Sequence, residues 1–222
     1  KFKGTTPKKE FGIIEVYELF NKRIEKLIGV DIKKVTYNKY LESLTHLKSF
    51  VKTILKTNDY KLKELKLNFL VDYEYFLKTQ KGLEQSTINK AIQRLRKVIQ
   101  FSLEKEYMEK DPFLGYKAKR TQKEVIYLVA DELNSLENHD FSQTRLQQVK
   151  DLFIFCCYTG LAFKEMSNLK SENIIIGFDG KKWIKMNREK TSKALMIPLL
   201  PKAISIIEKY QDDKKLLPII SN

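Results

Sequence analysis

Residues 151–170 read DLFIFCCYTGLAFKEMSNLK, and the fold turns on how this stretch is divided. Leu152, Phe153, Phe155, Cys156 and Tyr158 make its first part almost wholly apolar, the pattern of a buried helix. Thr159 and Gly160 interrupt that run, since Gly permits backbone angles a helix cannot use. Leu161, Phe163, Met166 and Leu169 then recur at helical spacing, with the charged pair Lys164 and Glu165 beside the turn. On the residues alone this is a helical hairpin in a core.

Downstream the period changes to that of strands. Ile174 to Ile176, Lys182 to Met186 and Leu195 to Ile197 are separated by turns at Phe178-Asp179-Gly180 and at Asn187 to Ser192. This predicts a three-stranded antiparallel sheet over residues 173 to 198. Pro201 then opens a last helix, at the position where Pro is tolerated.

Upstream the chain reads as helices. The first covers about residues 10 to 28, with Ile13, Tyr17, Phe20, Ile24 and Leu27 as its apolar stripe and Gly29 as its end. Thr36 is the expected N-cap of a second, lined by Tyr40, Leu44, Leu47, Val51 and Ile54. On another side of it Lys48, Lys52 and Lys56 repeat every four residues. Asn68 is the expected cap of a third helix, stopped by Gly82. Ser86 is the expected cap of a fourth, from Thr87 to about Tyr107. Ile88, Ile92, Leu95 and Ile99 form its apolar stripe, and Lys90, Arg94 and Lys97 form a basic one with Asn89 and Gln93 beside it. Arg and Lys neutralise phosphates, while Asn and Gln can address base edges. Asp111-Pro112 is expected to end this bundle, and residues 114 to 122 read as a basic linker.

Charge agrees with a polyanion partner. The 222 residues carry a formal net charge of +14. Residues 1 to 120 hold 27 basic and 15 acidic side chains, against 15 and 13 in the rest. A positive half suggests nucleic acid before membrane, and a solvated lysine-rich surface is the competing explanation. Cys156 and Cys157 are neighbours in a helix and point to different sides, so they form no disulfide framework, and a reducing, cytoplasmic setting fits. The two histidines, His46 and His139, belong to no set with metal-ligand spacing. No signal peptide and no apolar run of about 18 residues is present, so no membrane span is expected.

The run Tyr158-Thr159-Gly160-Leu161-Ala162-Phe163-Lys164-Glu165 resembles the first catalytic box of the tyrosine recombinases, or phage integrases, which mostly read TGLR-x-x-E. Ala162 stands where the family has the phosphate-binding Arg, as in integrases of conjugative transposons. Arg188-Glu189-Lys190-Thr191, with Ile197-Pro198-Leu199 eight residues on, resembles the family's hairpin carrying a catalytic Lys. Leu128 to Leu136, with the sequence V-A-D-E-L, resembles the opening of the catalytic domain, where a strand leads into a short helix.

The resemblance implies a mainly α, multidomain chain. A linker over 1–9 leads to a SAM-like helical core-binding domain at 10–115. Residues 123–222 follow as the N-terminal half of an α+β catalytic domain. It implies cleavage of DNA by a Tyr hydroxyl through a 3′-phosphotyrosine, with no metal or other cofactor. Lys190 is the implied acid, with Lys193 as second choice. Glu165 orients a basic group or stabilises the turn. Lys150 is a substitute cation, or a plain helix-surface Lys. Lys48, Lys52, Asn89, Lys90, Gln93, Arg94 and Lys97 face double-stranded DNA, and other integrase protomers share it. After Lys190 the sequence has no His, no Arg and only Tyr210, so the family's His-x-x-Arg and nucleophile boxes are missing and this chain is expected not to cleave. The alternatives are a non-catalytic protein occupying recombination sites and a helical interaction module of incidental charge.

Overall fold

The computed structural model describes residues 9–122, 124–210 and 216–219. The basic lead over residues 1–9 therefore lies, except for Lys9, outside the described residues. The chain divides into two compact units, Lys1–Lys123 and Glu124–Asn222.

The first unit holds α1 (Ile13–Glu25), α2 (Lys34–Thr53), a 3₁₀ turn at Leu62–Glu64, α3 (Leu67–Thr79) and α4 (Gln85–Glu104). The apolar stripes turn inward except at Ile54, which lies just past the end of α2 and is exposed. Ile13, Val16, Phe50, Val51, Leu70, Leu77, Ile88, Val98 and Phe113 lose all or nearly all contact with solvent. Phe50 is the hub, with ring centroids at 5.3 Å from Phe69, 5.2 Å from Tyr73 and 5.5 Å from Phe76. Such pairs add to the burial of area that dominates core energetics.

The helix starts differ from the sequence expectation. Thr36, Asn68 and Ser86 lie inside the first turns of α2, α3 and α4, whose N-caps are Lys33, Lys66 and Glu84 without side-chain capping bonds. The first turn of α2 is exposed, so water can satisfy its orphan N–H groups. The start of α1 is capped from a distance instead. The Asp59 carboxylate accepts the N–H groups of Ile14 at 2.8 Å and Glu15 at 3.0 Å. Gly12 precedes that helix because a Cβ there would sit 2.1 Å from Asp59 Oδ2.

The end of α4 differs too. The helix stops at Glu104, short of the expected end at about Tyr107. Glu106 takes a left-handed φ of 56°, and the Tyr107 N–H donates to the Ser102 carbonyl at 2.9 Å. A non-Gly residue there is strained. The strain is offset where Tyr107 stacks on Phe11 at 4.0 Å.

The second unit holds α5 (Ala130–Asn138), α6 (Thr144–Thr159), α7 (Phe163–Ser167), a 3₁₀ turn at Ser171–Asn173, β1 (Ile174–Ile176), β2 (Lys182–Asn187), β3 (Ala194–Pro198) and α8 (Pro201–Tyr210). Gly160 ends α6 at φ +64°, as the TG pair predicts. The expected strand before α5 is absent: residues 124–129 are described and form no ladder. The sheet order is β1-β2-β3, antiparallel throughout, with Ile184 opposite both Ile174 and Ile197. Ile184 is fully buried, in a core with Phe155, Met166, Ala203 and Ile206. No helix among the described residues is long and apolar enough to cross a membrane. No group of three or more His, Cys, Asp or Glu among them could hold a metal ion.

Candidate functional site

The two sequence boxes of the second unit meet. Ala162 is the N-cap of α7, and its N–H donates to Glu165 Oε2 at 3.1 Å. That bond folds the Glu165 side chain back over the turn and buries it to 5% exposure. Its other oxygen, Oε1, stands 3.7 Å from Arg188 Nε. Lys164 Nζ in turn donates to Glu189 Oε1 at 2.9 Å. The α7 start and the β2–β3 turn thus exchange charges in both directions. The turn itself is closed by Arg188 N–H to the Lys193 carbonyl and Ser192 N–H to the Arg188 carbonyl, both at 2.8 Å. Lys190 sits at its exposed tip, with Lys193 at its base.

Ala162 is exposed and carries no cation, but the Arg188 guanidinium comes to the same edge from the neighbouring turn. Sequence reasoning quoted Arg188 in its box without giving it a role. The signal was available: Arg145 and Arg188 are the only arginines after residue 120.

Lys150 is neither on the helix surface nor near this turn by any contact. Its ammonium is buried, with 4% of the side chain exposed, and donates to the backbone carbonyls of His139 at 2.7 Å and Glu137 at 3.4 Å. A cation there satisfies orphan carbonyls at the end of α5. Its neighbour Asp151 anchors α8 to α6. Asp151 Oδ2 accepts the Lys209 ammonium at 2.7 Å and the Tyr210 hydroxyl at 2.6 Å. Burial pushes the Asp151 carboxyl up, but those two hydrogen bonds outweigh it and hold the group below the usual Asp value. Burial, and then the bond to Asp151, raises the Tyr210 phenol.

In the first unit the basic stripe of α4 is partly exposed and partly occupied. Lys90, Gln93 and Lys97 are exposed. They line a groove of about 500 Å³ with Asn89, Arg96, Gln100, Tyr116 and Ala118. Arg94 is half-buried and lies in a second groove with Lys39, His46 and Ser86. Burial lowers the His46 imidazole from its ordinary value. The Asn89 amide is already engaged, donating to the Lys119 carbonyl at 2.8 Å. Lys48 pairs with Glu18 of α1 at 2.6 Å, and Lys52 is exposed on α2. The residues after α4 are no free linker, because Tyr116 and Lys119 are bound to α3 through Glu74.

Residues 15–120 match the family described as "Phage integrase SAM-like domain". No curated protein matches the chain. Among solved structures, the Tn1549 transposon integrase in complex with a circular intermediate DNA is similar. Its TM-score is 0.69 at 16% identity, over 94% of this chain and 68% of that one. A lambda integrase tetramer bound to a Holliday junction is similar at a TM-score of 0.67 and 12% identity, over 90% of this chain and 56% of that one. A lambda integrase dimer bound to a COC′ core site follows at 0.64 and 14%, covering 86% and 49%. Residues 15–120 thus carry a phage integrase SAM-like domain, and nearly the whole chain shares the fold of these integrases.

Proposed function

We propose that the chain binds duplex DNA and presents cations to a scissile phosphate, as the core-binding domain (residues 10–115) and the first half of the catalytic domain (residues 123–222) of an integrase-type recombinase. The single observation that carries this reading is the Glu165–Arg188 pair. It supports a guanidinium taking over, from the β2–β3 turn, the place that Ala162 leaves empty.

In strand cleavage a tyrosine oxygen bonds to phosphorus while the bond to the 5′ oxygen breaks, leaving a 3′-phosphotyrosine. Negative charge gathers on the non-bridging oxygens, and Arg188 neutralises it through a planar fork suited to phosphate. Glu165 holds that guanidinium in place. Lys190, exposed at the tip of the same turn, gives its proton to the departing 5′ oxygen. Lys150 is assigned a structural role, because its ammonium is spent on two carbonyls.

In the first unit, Lys90 and Lys97 with Arg94 and Lys52 neutralise phosphates, and Gln93, whose Oε1 accepts from Lys90 at 3.4 Å, offers its amide N–H groups to base edges. Lys48 and Asn89 contribute less, being held by Glu18 and by the Lys119 carbonyl. The solved relatives in DNA complexes, one of them a tetramer, support duplex DNA and further integrase protomers as the partners. The 222-residue chain itself forms no phosphotyrosine, since the Tyr210 hydroxyl is committed to Asp151.

The test uses a protein that also carries the His-x-x-Arg and nucleophile boxes. Arg188→Ala and Lys190→Ala should each abolish most cleavage of a nicked duplex while binding persists, since losing a positioned acid typically costs about 10²–10⁴ in rate. A 5′-bridging sulfur leaves without protonation, so it should rescue Lys190→Ala and not Arg188→Ala. Full cleavage by Arg188→Ala would overturn the assignment.

A further inference from the structure

Glu74 is the buried acid of the first unit. It sits on α3 at 7% exposure, and its two oxygens gather three donors. Oε2 accepts the Tyr116 hydroxyl at 2.8 Å. Oε1 accepts the Lys119 ammonium at 2.7 Å and the Gln85 amide at 3.2 Å. Burial would raise its carboxyl, but the bonds from Lys119, Tyr116 and Gln85 outweigh it and the group is held below the usual Glu value. A carboxylate withdrawn from water is costly unless it is paired and hydrogen-bonded in this way.

What Glu74 holds is the chain leaving α4. That segment is fastened at further points. Arg96 pairs with Asp111 at 3.0 Å, Phe113 is fully buried, and Asn89 donates to the Lys119 carbonyl at 2.8 Å. Phe113 already closes the core and Tyr116 packs partly against it, but packing does not require the exposed Lys119 to be fixed. The effect of fixing them is to make Tyr116 and Ala118 one wall of the groove whose other wall is Lys90, Gln93 and Lys97 of α4. Lys117 and Arg120 are exposed on the fixed segment.

We infer that Glu74 is a positioning residue for the DNA interface: it latches residues 116–120 beside α4, so that Lys117 and Arg120 extend the cation row of Lys90 and Lys97 across one groove. The inference rests on the duplex-DNA reading proposed above and names the part of the surface that reading leaves out. A flexible cationic tail would lose entropy on binding, whereas a latched one has lost it already, and preorganisation of this kind converts into affinity.

The experiment has two arms on the 222-residue chain. Amide hydrogen exchange without DNA reads the latch alone. Glu74→Gln keeps the shape but drops the charge, and Lys119→Met breaks the same pair from the exposed side. Both should speed exchange of the Tyr116 amide, which donates to the Phe113 carbonyl at 3.0 Å, by about tenfold, the size of one lost charge-assisted hydrogen bond. Unchanged exchange in both would overturn the latch. Duplex DNA binding against salt reads the cations. Lys117→Ala with Arg120→Ala should reduce the slope of log K on log salt by about 2. In the Glu74→Gln background the same pair should reduce it by less than about 1. An equal reduction in both backgrounds would show that Glu74 positions nothing, and no reduction in either would remove the segment from the interface. Absence of any DNA binding by the unsubstituted chain would defeat the duplex-DNA reading itself, while the exchange arm would still report on the latch.

Discussion

The Arg188 guanidinium stands 3.7 Å from the buried Glu165 carboxylate and joins two motifs that lie on different elements. Because Arg188 is half-exposed, its pairing contributes little to folding. Arg188→Ala should therefore change the urea-unfolding free energy of the 222-residue chain by less than about 1 kcal/mol. Glu165→Ala should cost about 1–2 kcal/mol, since it also strips the Ala162 N–H of its acceptor. If Arg188→Ala proved the more destabilising of the two, the residue would be a structural clamp.

Asp151 predicts an acid limit for the second unit. Its folded pKa is depressed by the Lys209 and Tyr210 bonds, which outweigh burial. A depressed carboxylate contributes stability that is present above its unfolded pKa and lost as pH falls through the folded one. Thermal melts from pH 6 to pH 2 should show this loss, and Asp151→Asn should remove that part of the pH dependence while lowering stability near neutrality. An unchanged acid transition in Asp151→Asn would assign it to other carboxylates, such as Glu137, also held low against burial by Tyr158 and Lys202.

The remote cap at α1 gives a coupled pair. Asp59→Ala should cost about 1 kcal/mol, up to about 2, as for other lost N-caps. Gly12→Ala should be destabilising too, because its new methyl meets the Asp59 carboxylate. Combined, the two should cost less than their sum, since Asp59→Ala empties that space. Additive losses in denaturant titrations would mean that the carboxylate does not occupy the position described.

These results mark where sequence was informative. The α6 run with its Gly160 stop and the alternation in β2 were legible, because both patterns follow from backbone period alone. The capping of α1 was not, because Asp59 lies far from Gly12 in sequence and local rules look only at neighbours. Lys150 was read as a surface cation or a phosphate clamp. Its ammonium donates to the backbone carbonyls of Glu137 and His139, with the Asp140 and Asp151 carboxylates at 3.9 and 3.8 Å, and carbonyl acceptors leave no mark in a sequence. Arg188 went unassigned beside Lys190: its rarity among the residues after 120 was legible, but nothing in one dimension shows that the β2–β3 turn reaches the start of α7.

Tyr210 is the only tyrosine after Lys190, and its hydroxyl donates to Asp151. The 222-residue chain should form no covalent link to a nicked suicide duplex. Tyr210→Phe should lower thermal stability and leave DNA binding unchanged. A protein–DNA adduct mapped to Tyr210 would contradict this, and would require α8 to leave Asp151.

The duplex-DNA reading is tested most directly by the salt dependence of binding. Affinity of the 222-residue chain for duplex DNA should fall linearly on a log–log plot with salt. Replacing Lys90 and Lys97 with Ala should reduce the slope by about 2, at roughly equal cost for unrelated sequences. Binding with an unchanged slope would show that the α4 face does not touch phosphate, and no salt-dependent binding at all would contradict the account.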